Sequence, residues 1–372
     1  MLLATALLLQ AAPIPELHPE AARAWLDERR VEQGFPGAQF AWAALDEKRG
    51  GAVAVGVRER GAAEALLPED RMLWGSVGKT FVAAVALQYV QEGKFGLDDL
   101  VSIHLGDREW FARLPNAATI TVRHLMTHTS GIPDHVRKLE VWEAVKADPD
   151  RVWRTEELLA FALGDEPLCS AGERFDYADT NFVLLGAVIE RIGGAPLFDQ
   201  VRARLLGPLK LSGAAPSDRR VLPGLVQGHP VMLAKEWLIP ARTLANGKFF
   251  MNPQFEHGGG GMYGTPAALA RWTCLLHAGE VLTAAMRTAR LEGVAAPFSP
   301  GEKYGLGVQL WSSELGPAAG HGGWYPGYRT ETAWFDDLKL GACIVINTDA
   351  PREVRDLRAL LVGCLRRLRD GP

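Results

Sequence analysis

Cysteine is scarce and scattered. The 372-residue chain has four, Cys169, Cys274, Cys343 and Cys364, and none stand at metal-ligand spacing. That excludes a zinc-ribbon site and a small fold framed by disulfides. Buried free thiols are the expected state, with one disulfide the alternative in an oxidising compartment. An excess of charge is missing too: 40 Lys and Arg face 44 Asp and Glu, a net charge of -4, with a pI near 6.2. Such a balance does not suit nucleic acid or an anionic membrane. No stretch approaches the roughly 20 apolar residues that cross a bilayer. Internal repeats and low-complexity tracts are absent as well.

What is present is an ordinary globular composition, 48% hydrophobic and 23% charged, with 40 Gly and 23 Pro. The length suits one large domain or two intimate ones. The 11 Trp are many, and core and cleft walls are their expected places. The N-terminus has an apolar run from Leu2 to Ala12, and its first charge is Glu16. Residues 1–12 read as a signal peptide, which implies export and no transmembrane anchor.

Helical spacing over 19–34 ends at Gly34. Two apolar runs, "GAQFAWAALD" and "GAVAVGV", flank "EKRGG" and read as a hairpin. A helix apolar on nearly every face is expected from about Ser76 to Gln91 and must be buried. Helix and loop fill most of 97–290, including "NFVLLGAVIERIGG". Strands return in "YGLGVQLWSSE", "RTETAWFDD" and "LGACIVINTD", and "REVRDLRALLVGCLRRLRD" closes the chain as an amphipathic helix with a solvated basic face. The expected fold is α+β: an antiparallel sheet built from both ends of the chain, covered by the first and last helices, with a mainly helical insert.

The stretch "RMLWGSVGKTF" admits two chemistries. A phosphate loop needs Gly-x-x-x-x-Gly-Lys-Ser/Thr after a buried strand. Five residues before Gly78 stands Leu73, and the preceding segment is polar with Pro68. The backbone cradle does not close, so no nucleotide is expected. The other reading pairs Ser76 with Lys79, three residues apart on one helix face. A serine hydroxyl is a weak nucleophile until a base takes its proton, and a buried lysine or a partner can supply one. Two distant segments add to it: Tyr177 in a loop before an apolar helix, and His321-Gly322-Gly323 near a strand, where small residues admit substrate.

Ser76-x-x-Lys79, Tyr177-Ala178-Asp179 and His321-Gly322-Gly323 resemble, in order and spacing, the three motifs of the serine β-lactamase and penicillin-binding-protein superfamily. The branch resembled is that of class C β-lactamases, DD-peptidases and esterases. "ITVRHLMTHTSGIPDH" (Ile120 to His135) and "GGGGMYGTPAALARW" (Gly258 to Trp272) support it. The class A companions Ser-Asp-Asn and Lys-Thr-Gly are absent, with Ser217-Asp218-Arg219 the nearest miss.

The resemblance implies one serine hydrolase domain over 13–372, its sheet part about 19–75 and 295–372 and its helical part about 76–294. It also implies an acyl-enzyme on Ser76, with Lys79 and Tyr177 sharing the proton work. The backbone N–H groups of Ser76 and Trp324 would form the oxyanion hole. Asp179, His321, Gly322 and Gly323 would bind substrate. No metal or other cofactor is implied, and the partner would be a small-molecule or peptide acyl compound met in the periplasm or outside the cell. At Asp179 the family most often has Asn. A carboxylate there favours the ammonium form of Lys79 and shifts the base role to Tyr177. A catalytically impaired binding or scaffold protein of the same fold is the second reading. His321 stands where other members have Lys, and Arg329 is a candidate substitute cation. His124 and His128 have i,i+4 spacing without a third metal ligand, so a structural role near the cleft floor is the stronger reading. "HGGGGMYG" (His257 to Gly264) reads as a flexible cleft-edge loop, since the Gly-x-Ser-x-Gly elbow of α/β-hydrolases is missing.

Overall fold

The computed structural model describes residues 16–372; the apolar run read as a signal peptide lies outside them. Pro19 at the first turn and Gly34 in the left-handed region (φ 84°) bound helix α1 (Pro19–Gln33). The hairpin follows as β1 (Gly37–Ala43) and β2 (Gly51–Gly56). A 3-10 turn, Gly75–Gly78, leads into α2 (Lys79–Gln91). Further on come α3 (Asp179–Gly193), α4 (Pro266–Ala278) and α5 (Ala284–Leu291). The last part holds β3 (Val294–Ala295), β4 (Lys303–Tyr304), β5 (Gln309–Ser313), β6 (Gly316–Tyr325), β7 (Tyr328–Phe335) and β8 (Leu340–Ile346), and α6 (Leu357–Asp370) ends the chain.

These strands make one eight-stranded antiparallel sheet in the order β2-β1-β8-β7-β6-β5-β4-β3. The two ends of the chain meet within it, where β1 lies beside β8 and Phe40 pairs with Ile344. Side chains alternate between two buried layers. Phe40, Trp42, Ile344 and Ile346 join a core with α1 and α6. Ala41, Cys343 and Val345 face a second core that includes α2 and α4. Burial on both faces is why β1 and β8 read as nearly continuous apolar runs. The first and last helices therefore cover one face only; α4 covers the other.

Among the described residues, no single helix is long and apolar enough to cross a membrane. Cys274, Cys343 and Cys364 are buried free thiols and Cys169 is a half-buried one.

Candidate active site

The 3-10 turn presents Ser76, and the first residue of α2 is Lys79. Two glycines set the turn's position. A side chain on Gly75 (φ 52°) would overlap the backbone of Trp324, and one on Gly78 would overlap the backbone of Gly260. The turn is thus seated between the end of β6 and the 257–261 segment, and Ser76 and Trp324 line the same cleft. The glycines serve close packing; they are not the remnant of a phosphate loop.

Lys79 is fully buried. Its Nζ donates to Ser76 Oγ at 3.0 Å, to Asp179 Oδ1 at 2.5 Å and to the Gly259 carbonyl. Three acceptors match the three protons of an ammonium. The same Nζ lies 4.9 Å from the centre of the Tyr177 ring, a cation–π arrangement. The Tyr177 hydroxyl is buried and has no hydrogen-bond partner among the described residues. Burial, and then the Asp179 carboxylate, push Tyr177 well above the usual tyrosine range, while nearby Ser76 pulls the other way.

Asp179 is the first residue of α3, where a carboxylate meets the positive end of the helix. Its backbone N–H donates to Asp134 Oδ1 at 3.0 Å. Burial, with Asp179 second, raises Asp134. Glu256 accepts from Gly261 N–H at 2.7 Å, and burial raises it to about 8. Ser76, Tyr177, Asp179, Gly322, Gly323 and Trp324 all line one cleft of ≈ 770 Å³. Asp134 and Glu256 line it too, as does Arg329, which has no ion-pair partner among the described residues. Its apolar wall stacks Trp142 on Trp237 at 4.4 Å, with Trp324 edge-on to Trp237 at 5.2 Å. Buried Asp349 pins that wall, accepting from Trp324 Nε1 and Gly327 N–H at 3.0 Å each and from Met232 N–H at 3.1 Å.

One expected contact is placed elsewhere. His321 is fully buried beneath the cleft, so it does not bind substrate directly. Its Nδ1 lies 2.6 Å from the Gly322 carbonyl, and its Nε2 lies 2.8 Å from the Tyr304 hydroxyl. Burial lowers it to about 3, so the ring is neutral. Only a protonated Nδ1 can donate to a carbonyl, which makes Nε2 an acceptor. Tyr304 therefore donates to His321, and its oxygen accepts from His128 Nε2 at 3.3 Å. His128 Nδ1 then accepts from Ala178 N–H at 3.3 Å and Asn181 Nδ2 at 3.2 Å, and Asn181 Oδ1 accepts from Ser130 Oγ at 2.5 Å. The chain runs in one direction from the Ser130 hydroxyl to the Gly322 carbonyl. The His128 ring also lies 4.1 Å, centre to centre, from Tyr177.

His124 caps its own short helix, Val122–Met126, which ends before His128. The two histidines do not share a ligand position. Residues 257–261 are buried between α2 and α3, not a flexible edge: a side chain on Gly258 would run into the Phe182 backbone, and one on Gly259 would press on the Asp179 side chain.

With the geometry in place, a family model described as Beta-lactamase matches residues 22–365. The chain belongs to the beta-lactamase family. This places it in the serine β-lactamase and penicillin-binding-protein superfamily of serine hydrolases. It is 23% identical over 285 residues to "Penicillin-binding protein 4*" of Bacillus subtilis (strain 168), matching 75% of this chain and 61% of that protein. The family fold recurs in a D-stereospecific amidohydrolase from Streptomyces sp., with a TM-score of 0.76 and 26% identity over 95% of this chain and 99% of that one. It recurs in the D-amino acid amidase from Ochrobactrum anthropi SV3, with a TM-score of 0.77 and 20% identity over 93% of this chain and 98% of that one, a likeness of fold alone.

Proposed function

We propose that the protein is a serine acyl hydrolase that cleaves an amide or ester through an acyl-enzyme on Ser76. The observation that carries this is the convergence of Ser76 Oγ, Lys79 Nζ at 3.0 Å and the unpartnered Tyr177 hydroxyl at one cleft. Lys79, already donating to three acceptors, does not take the proton. Tyr177 takes it from Ser76 as the phenolate, a minor form at neutral pH because burial and Asp179 raise the group, so the rate should climb into the alkaline range. The Oγ–C bond forms, the C–N or C–O bond breaks, and Tyr177 returns the proton to the leaving amine or alcohol. Water then repeats the sequence and restores Ser76. The N–H groups of Ser76 and Trp324 hold the oxyanion; one such donor is worth about 3–4 kcal/mol.

The cleft favours an acyl group with an aromatic or apolar side chain against Trp142 and Trp237. Asp134, Glu256 and Arg329 add polar groups to the same lining, which suits a substrate with polar ends. The amidohydrolase likeness supports an amide of the D-amino-acid type over a simple ester or a D-Ala-D-Ala-like peptide. The Lys79–Asp179 pair disfavours β-lactams. Class C-like motif order and an exported, periplasmic or secreted location belong to the same reading. The same ion pair, at 2.5 Å, is what favours the second reading, a fold-retaining binding protein without turnover.

Two measurements decide. Ser76→Ala is expected to abolish hydrolysis of nitrophenyl acetate and of D-amino-acid amides, and retained wild-type rates sink the nucleophile. A fluorophosphonate or fluorescent penicillin should give a covalent adduct on Ser76. A fully unlabelled, folded protein favours the binding reading.

A further inference from the structure

A larger cavity, ≈ 920 Å³, lies away from the active-site cleft, between the end of α4, α5 and strands β5 and β6. Its charged lining is one-sided: Arg49, Arg287, Arg290, Lys303 and Lys339 against Asp336 alone. Arg49 and Lys339 have carboxylate partners, Asp46 and Asp336. Arg287 and Lys303 have none among the described residues, and Arg287 reaches only the Leu282 carbonyl, at 3.0 Å.

Arg290 is the unusual member. It is 2% exposed, and among the described residues its one side-chain hydrogen bond runs from Nη1 to His277 Nε2 at 3.2 Å, with no partner for Nε or Nη2. Burial pushes His277 well below its ordinary range, so the imidazole is neutral and supplies no counter-charge. Burial lowers Arg290 only to about 10, which leaves it charged at neutral pH. Elsewhere the protein pairs such a group: half-buried Arg358 meets Glu302 at 2.5 Å and Glu331 at 3.2 Å. A buried charge without a partner is costly. The C-terminal end of α5, where Arg290 sits, offsets that only in part.

We propose that this cavity binds a small, multiply charged oxyanion, a phosphate ester or a polycarboxylate, with Arg290 as buried anchor and Arg287 and Lys303 as rim. A planar guanidinium suits either oxyanion. The rim cations add the long-range attraction that draws a polyanion in.

The test titrates the full chain with inorganic phosphate, pyrophosphate and citrate at ionic strength fixed with NaCl, by calorimetry and thermal shift. Saturable binding is expected, and pyrophosphate against citrate separates the two chemical sources. Lys303→Gln and Arg287→Gln should each weaken it about tenfold, as loss of a charged hydrogen bond implies, with ester hydrolysis unchanged. Arg290→Met should abolish it and, without anion, leave the melting temperature unchanged or higher. No saturable binding of any of the three probes overturns the proposal. So does binding indifferent to both rim substitutions, or stabilisation that NaCl alone reproduces. If Arg290→Met fails to fold, the rim variants decide.

Discussion

Replacing Tyr304 by Phe removes one oxygen from a fully buried site and keeps the ring. That oxygen donates to His321 Nε2 at 2.8 Å and accepts from His128 Nε2 at 3.3 Å. Both imidazoles are buried, so neither nitrogen can turn to bulk water. Each orphaned group costs about 1–3 kcal/mol, so Tyr304→Phe should lose about 2–6 kcal/mol. Urea unfolding reads this as a lower midpoint at unchanged slope. Tyr325→Phe is the matched control. Tyr325 is also buried, but its hydroxyl has no partner among the described residues, so its removal should be neutral or stabilising. The same chain ends on the Gly322 carbonyl and backs the Tyr177 ring. Tyr304→Phe should therefore lower kcat on an activated ester more than it raises KM. A loss under about 0.5 kcal/mol, the level of an ordinary surface change, would refute the one-directional chain. Equal effects of the two Tyr→Phe changes would refute it as well.

Asp179→Asn removes the second-largest cause of the high Tyr177 value, so the rise of kcat/KM with pH, which follows loss of the Tyr177 proton, should move to lower pH; a rise that stays put or moves up rejects Tyr177 as the base. Gly78→Ala drives a methyl into the Gly260 backbone, and since overpacking costs about 1–3 kcal/mol or more, the melting temperature should drop and ester hydrolysis should be lost. Stability should also fall above neutrality. Glu256, raised to about 8, and Asp134, raised with it, keep protons that the unfolded chain has already lost, so their contribution declines as pH climbs through the folded values. His321, lowered to about 3, and His135, lowered to about 4, act oppositely, and only as pH falls below the ordinary histidine value of 6.5. Between pH 6.5 and 8 the acids stand alone, and a melting temperature that rises across that window contradicts their burial.

Part of this site was legible because its signals are local. Ser76 and Lys79 are one helical turn apart, and Tyr177 immediately precedes an apolar helix. The sheet announced itself through β1 and β8, whose apolar runs reflect burial on both faces. What stayed hidden depends on distance along the chain. Asp134 reaches Asp179 across 45 residues, and Tyr304 joins His128 across 176. No spacing rule connects them. Two readings failed for a physical reason that they share. The glycines of 258–261 suggested mobility, yet side chains there would meet the Phe182 backbone of α3, the Asp179 and Glu256 side chains, the Gly75 carbonyl and the Phe198 ring. His321 suggested a substrate contact because a neighbouring pair of glycines opens the cleft, but the glycines line it and the imidazole faces inward to Tyr304. In both places the absence of a side chain is what lets polar groups from separate elements come within hydrogen-bond range. A glycine cluster beside a nucleophile is thus a sign of convergence, and the residues it admits have to be found in space.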